Sequence, residues 1–226
     1  MPLAQAAHPR QAVVTATVLA AAAAVAGRPP REAGLVAATA LVGQALIGWG
    51  DDLADQDADR RRRPGKPLAS SRLDPGTLWF ALACGVLVLV PLAVANGPRS
   101  GAAYLASVAI ALVGDRLLHA TPLSFLPWTA SFALYPVFLA HGGWNGAGAD
   151  TPPTATMVVL AALLGMGVHL LLALPGLVAD HEEGEHSLPL VLALRTGTPR
   201  LLLVAGLVTA VVVVAILLTG RAVGLT

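Results

Sequence analysis

Residues 51–67 read DDLADQDADRRRRPGKP, with five aspartates, four consecutive arginines and a lysine in seventeen positions. Continued as helix over 48–60, this stretch sets Asp52, Asp55 and Asp59 at i, i+3 and i+7, on one face. Asp51 lies one turn before Asp55, and Asp57 points elsewhere. Carboxylates that close repel and raise one another's pKa unless cations sit among them. Oxygen ligands of this kind suit a hard ion such as Mg²⁺, which takes one or two carboxylates and fills its shell with substrate phosphates and water. Arg63 and Lys66 follow closely and can hold the remaining phosphate oxygens. The chemistry expected here is therefore metal-assisted handling of a phosphate group.

A basic run beside a membrane can merely fix topology or bind anionic lipid, but that leaves three acids on one face unexplained. Asp55, Asp57 and Asp59 imitate the start of an EF-hand, yet Arg60 stands where the loop needs Gly and Lys66 where it needs Glu. PGKP imitates a P-loop, without the earlier Gly or a Ser/Thr after Lys66. A second acidic run, DHEEGE at 180–185, carries Asp180 and Glu183 one turn apart. His181 and His186 beside it are spaced poorly for zinc on a helix.

The elements that position these groups are apolar. The 226 residues are 56% hydrophobic and 12% charged, and mean hydropathy is +0.72. Charge-free stretches run over 11–27, 33–50, 75–98, 100–114, 117–149, 151–179 and 201–220. Most approach the ~20 residues of a membrane-spanning helix, and 100–114 needs Leu117 and Leu118 to reach that length. No period-2 pattern suggests barrel strands, and the charged outer faces of a soluble bundle are missing. The expectation is an all-α, polytopic helical membrane bundle of about seven transmembrane helices, forming one domain over 1–226. The net charge of +1 gives no ground for a nucleic-acid partner. Cys84, the single cysteine, cannot form an internal disulfide.

Lys and Arg counts set the expected orientation. With 51–74 in the cytoplasm, seven spans leave ten Lys/Arg inside and four outside. The N-terminus and both acidic segments then face the cytoplasm, together with Arg116 and His119. The Gly- and Pro-rich connector at 141–154 falls outside. Within the spans, His169 reads either as a functional group or as a hydrogen-bonded packing residue. Trp128 and Tyr135 read mainly as helix packing.

GDDLADQDADRRRRPGKPLASSRL resembles the first aspartate-rich motif of the UbiA superfamily of intramembrane prenyltransferases, with Asp51, Asp52, Asp55 and Asp59 in register. LHATPLSFLPWTASFALYPVF at 118–138 resembles a further family segment, with His119 where the family usually has Lys. The stretch 167–197 is similar to the second aspartate motif of actinobacterial members through His169, Leu174, Pro175, Asp180, Gly184, Leu188 and Pro189. Leu172 replaces an expected Asn, and Gly176 replaces the first Asp of that motif. The family fold has nine spans. The resemblance implies an isoprenyl diphosphate bound at the cytoplasmic mouth of the bundle in a bacterial inner membrane. It further implies Mg²⁺ held by Asp52, Asp55 and Asp59 and by Asp180 with Glu183. Arg63, Lys66, Arg116 and His119 would bind the diphosphate, and the prenyl group would pass to an aromatic or other lipophilic acceptor. The rival expectation is a family member that binds an isoprenoid or lipid, or serves as a membrane partner, without catalysis. A CDP-alcohol phosphotransferase is disfavoured because its D-G-x-x-A-R lead is missing.

Overall fold

The computed structural model describes residues 1–142 and 152–222, with side chains placed through Gly220. The expected connector at 141–154 therefore lies largely outside the described residues. Eleven α-helices and one 3₁₀ turn account for the regular structure, and no strand occurs among the described residues. Five helices are long and apolar enough to cross a membrane: 30–54, 75–95, 98–118, 155–182 and 198–220. Two shorter apolar helices, Pro9–Val25 and Leu126–Ala140, complete the expected seven. The chain is thus an all-helical, multi-pass membrane protein.

Prolines set many of the helix starts. Pro2, Pro9, Pro30 and Pro75 each stand at the first turn of α1 (Pro2–Ala6), α2 (Pro9–Val25), α3 (Pro30–Ala54) and α5 (Pro75–Ala95). The missing N–H costs nothing there, because that group has no intrahelical partner. Asp74 caps α5 by accepting from the Thr77 N–H at 3.0 Å. Between α3 and α5 lies the short α4 (Gln56–Arg62).

The chain divides into two compact units, Met1–Val108 with Phe138–Thr151, and Ala109–Val137 with Pro152–Thr226. In the first, α3 is the central helix and packs against α2 and α5. Gly43 of α3 admits the fully buried ring of Tyr104, from α6 (Pro98–Leu118), close to its backbone. Even an alanine Cβ there would fall inside contact distance of that ring. Several buried polar groups are paired internally. Asn96 Nδ2 donates to Thr39 Oγ1 at 2.9 Å, and Arg28 donates to the Phe138 carbonyl at 3.1 Å at the end of α7 (Leu126–Ala140).

In the second unit, α8 (Ala155–Ala173) packs against α11 (Thr198–Ala222). After α8 the chain tightens into a 3₁₀ turn at Leu174–Gly176, then continues as α9 (Leu177–Glu182). Pro175 explains the tightening, since it removes one backbone donor. Gly184 takes positive φ, and α10 (Leu188–Thr196) follows. The charge-free stretch 117–149 does not run as one long helix. Turn bonds from Ser124 N to Thr121 O and from Leu126 N to Leu123 O delay α7 to Leu126.

Candidate functional site

The first acidic segment is bent where an unbroken helix was expected. The α3 helix stops at Ala54, and Asp55 (φ −89°, ψ 7°) joins it to α4. The Asp55 N–H still bonds Asp51 O at 2.8 Å, and the Asp59 N–H bonds Asp55 O at 2.7 Å. The bend therefore keeps the helical sense while separating the three carboxylates by exposure. Asp52 and Asp59 are 1% and 6% exposed; Asp55 and Asp57 are on the surface. The common face expected for Asp52, Asp55 and Asp59 is reduced to Asp52 and Asp59.

Those two carboxylates converge on one cation. Lys66 Nζ donates to Asp52 Oδ1 at 2.9 Å and to Asp59 Oδ2 at 2.6 Å. Electrostatics explains the arrangement, because two buried carboxylates so close need a positive charge between them. Burial pulls the Lys66 pKa down, but the bonds to Asp59 and Asp52 outweigh it and leave the ammonium above its usual value. The loop that returns Lys66 is itself anchored. Arg72 Nη2 donates to Gly65 O at 2.6 Å, Ser70 Oγ donates to Lys66 O at 2.7 Å, and Leu68 and Leu73 are buried with Leu78. Arg63, at the end of α4, is exposed.

One member of the cluster has no sequence signal. His8 Nε2 donates to Asp52 Oδ1 at 3.3 Å across 44 residues of chain. No local spacing could have found it. The bond to Asp52 holds the imidazole above its ordinary pKa, against the opposing effect of burial. A raised folded-state pKa means that the protonated form is the stabilised one. The stability contributed by the link is complete below the unfolded value of 6.5 and is lost as pH rises through the higher folded value. In wild-type protein, this contribution to thermal stability should therefore decline as pH rises from 6.5 through the higher folded value. The decline should flatten in His8→Gln, which keeps a donor but cannot titrate. Equal slopes in both proteins would show that His8 makes no such contribution.

The second acidic segment lies on α9 and the turn after it. Asp180 is half-buried, and Glu183 is exposed at the helix C-terminus. Gly176 has an ordinary φ of −92°, and a Cβ built there would sit 3.6 Å from both Asp180 carboxylate oxygens. The position can thus take the aspartate that the sequence pattern calls for, directly beside Asp180.

Within the same unit, the basic turn and the acidic turn are joined. The His186 N–H bonds Ala120 O at 2.9 Å, and the Leu188 N–H bonds Ser124 Oγ at 3.1 Å. The fully buried Ser124 hydroxyl also lies 3.0 Å from His169 Nε2. Arg116 and His119, both exposed, sit at the start of this joined region. His169 is thus hydrogen-bonded within the bundle, and the Trp128 ring lies 5.7 Å from its own, tilted by 35°. Among the described residues, no three His, Cys, Asp or Glu side chains converge as a ready-made metal cage.

The sequence model of the UbiA prenyltransferase family matches residues 12–226. A solved UbiA homologue from Archaeoglobus fulgidus, bound to DMAPP and Mg²⁺, superposes with a TM-score of 0.73 at 16% identity, covering 95% of this chain and 76% of that one. The apo structure of a UbiA homologue from Aeropyrum pernix K1 gives 0.73 at 18% identity, covering 94% of this chain and 80% of that one. At these identities the likeness is one of fold. No curated protein matches the sequence.

Proposed function

We propose, since this chain belongs to the UbiA prenyltransferase family, that it transfers an isoprenyl group from a prenyl diphosphate to a lipophilic acceptor, aromatic or otherwise, with Mg²⁺. The observation that carries the reading is the pair of buried carboxylates, Asp52 and Asp59, aimed at one cation. Two convergent carboxylate oxygens fit Mg²⁺, which completes its shell with phosphate and water where a protein cage is incomplete. The Archaeoglobus fulgidus homologue binds DMAPP and Mg²⁺, in keeping with this donor set. A first Mg²⁺ would be held by Asp52 and Asp59, with Asp55 at the joint, and a second by Asp180 with Glu183. When bound, Mg²⁺ supplies the charge that neutralises a departing diphosphate.

The chain's own residues supply the rest. Lys66 and Arg63 offer donors for phosphate oxygens, Lys66 as a point charge and Arg63 as a fork. Arg116 and His119 are the corresponding candidates in the second unit. With Mg²⁺ on Asp52 and Asp59, Lys66 would be free of both carboxylates and could offer its ammonium to a phosphate oxygen. The apolar helices would receive the isoprenyl tail. The Lys/Arg distribution supports an orientation with both acidic segments on the cytoplasmic face, in what would be a bacterial inner membrane.

Gly176 bears on rate. Restoring the carboxylate with Gly176→Asp adds an oxygen ligand beside Asp180 without a clash. Its turnover should rise by about tenfold or more, since ~1.4 kcal/mol of transition-state stabilisation is one decade. If Glu183 already serves instead, Glu183→Gln abolishes activity while Glu182→Gln is tolerated. The reading is tested by incubating purified protein with Mg²⁺, a panel of prenyl diphosphates and aromatic acceptors, and assaying diphosphate release. Binding without release, in wild type and Gly176→Asp alike, would favour the non-catalytic isoprenoid binder.

A further inference from the structure

The N-terminal eight residues fold back along α3 and end at the acidic cluster. α1 has five residues, too few to hold a helix unaided, so tertiary contacts must fix it. Trp49 Nε1 donates to Leu3 O at 3.1 Å. Ala6 is fully buried with Leu68, Leu73 and Leu78, the leucines that anchor the Lys66 loop and the start of α5. Gly48 receives the strap's backbone: a Cβ there would lie 2.9 Å from the Ala7 carbonyl carbon and 3.1 Å from Ala6 O. At the end of this path His8 bonds Asp52.

His8 occupies a demanding position. Its backbone is left-handed (φ 47°, ψ 60°) at the N-cap of α2, and its side chain makes no capping bond. Residues with a Cβ are uncommon in that conformation, His being among those found there more often, and an N-cap usually uses its side chain on the helix's own N–H groups. Here the strained backbone directs the imidazole to Asp52 instead. Pro9 keeps His8 out of the right-handed helical region, and the imidazole that does not cap α2 is the one that bonds the buried Asp52 carboxylate. A carboxylate that ligates a cation is commonly fixed by such a second hydrogen bond.

We infer that Met1–His8 is a positioning strap for the first acidic cluster, and that His8 is the residue through which it orients Asp52. Only the divalent-cation part of the test below rests on the proposed function. Lys66 is the only lysine in the chain, so its acylation rate, read by peptide mass spectrometry, reports the metal-free cluster directly. Wild type, His8→Ala, His8→Gln and Gly48→Ala should be compared as full chains in detergent, below their unfolding temperatures.

His8→Ala should raise Lys66 acylation by about five- to tenfold, the consequence of losing one hydrogen bond to a charged group. Gly48→Ala should do the same although His8 is intact, because the added methyl displaces the strap. His8→Gln, which restores a donor, should stay within about twofold of wild type. Mn²⁺ binding, followed by electron paramagnetic resonance, should weaken by about tenfold in the first two variants and not in the third. Unchanged Lys66 acylation in both His8→Ala and Gly48→Ala overturns the inference, even if both melt earlier, since a merely structural strap would lower stability alone. Failure of His8→Gln to restore protection overturns the role of His8. If wild type binds no Mn²⁺ while the acylation pattern holds, the strap stands and the cation reading fails.

Discussion

Lys66→Met should destabilise the metal-free protein by about 3–5 kcal/mol, the usual consequence of removing one partner from a buried ion pair. The side chains of Asp52 and Asp59 are 2% and 8% exposed, so neither carboxylate can turn to water in place. Methionine keeps the length of the stem and removes only the charge and its donors. Two carboxylates are then left facing one another across the vacated position. Added Mg²⁺ should recover much of the loss, because the same two oxygens can hold a divalent ion. Thermal unfolding in detergent, with and without Mg²⁺, measures both effects. A variant as stable as wild type without metal would mean that the Lys66 contacts do not hold the cluster together. Instability that Mg²⁺ leaves untouched would mean that the pair is a structural salt bridge and no cation site.

The second large effect concerns the carboxylates. Asp52→Asn and Asp59→Asn should each lower prenyl transfer by about 10²–10³-fold, the scale seen when one preorganised electrostatic contact to developing charge is removed. Asp57→Asn should change it little. Its side chain is 85% exposed and pairs with Arg60 one turn away at 3.1 Å, an exposed contact of small energetic value. Asp55→Asn separates two arrangements. If its effect matches that of Asp52→Asn, the exposed carboxylate at the bend joins the site when substrate binds. If it matches Asp57→Asn, the site is built from Asp52 and Asp59. Equal effects from all four substitutions would reduce the segment to a charged surface loop.

What the sequence could and could not convey follows from the range of each interaction. Span positions were legible because membrane burial acts on composition over some twenty residues at a time. The 100–114 stretch needed Leu117 and Leu118, and the helix does run to Leu118. The delayed start of α7 was not legible, because 119–125 carries no Asp, Glu, Lys or Arg to mark a break but is held in turns by its own backbone. Helical spacing correctly paired Asp52 with Asp59. It also grouped Asp55 with them, because spacing alone does not reveal a bend at Asp55 itself. Lys66 was expected on phosphate; the folded chain sets it first on the carboxylates, which local charge balance requires. His8 was invisible because its partner is 44 residues away, and only the fold-back of α1 brings the two together. The Ser124–His169 link is also long-range, and with the bonds around it that link joins the basic and acidic turns of the second unit.

The most direct measurement is release of diphosphate from a prenyl diphosphate by the purified chain, with and without Mg²⁺, and with Asp52→Asn as the control. Mg²⁺-dependent release coupled to prenylation of a lipophilic acceptor, suppressed by chelation and by Asp52→Asn, is the predicted result. Stoichiometric binding of the prenyl diphosphate with no release from wild type or from Gly176→Asp would contradict it.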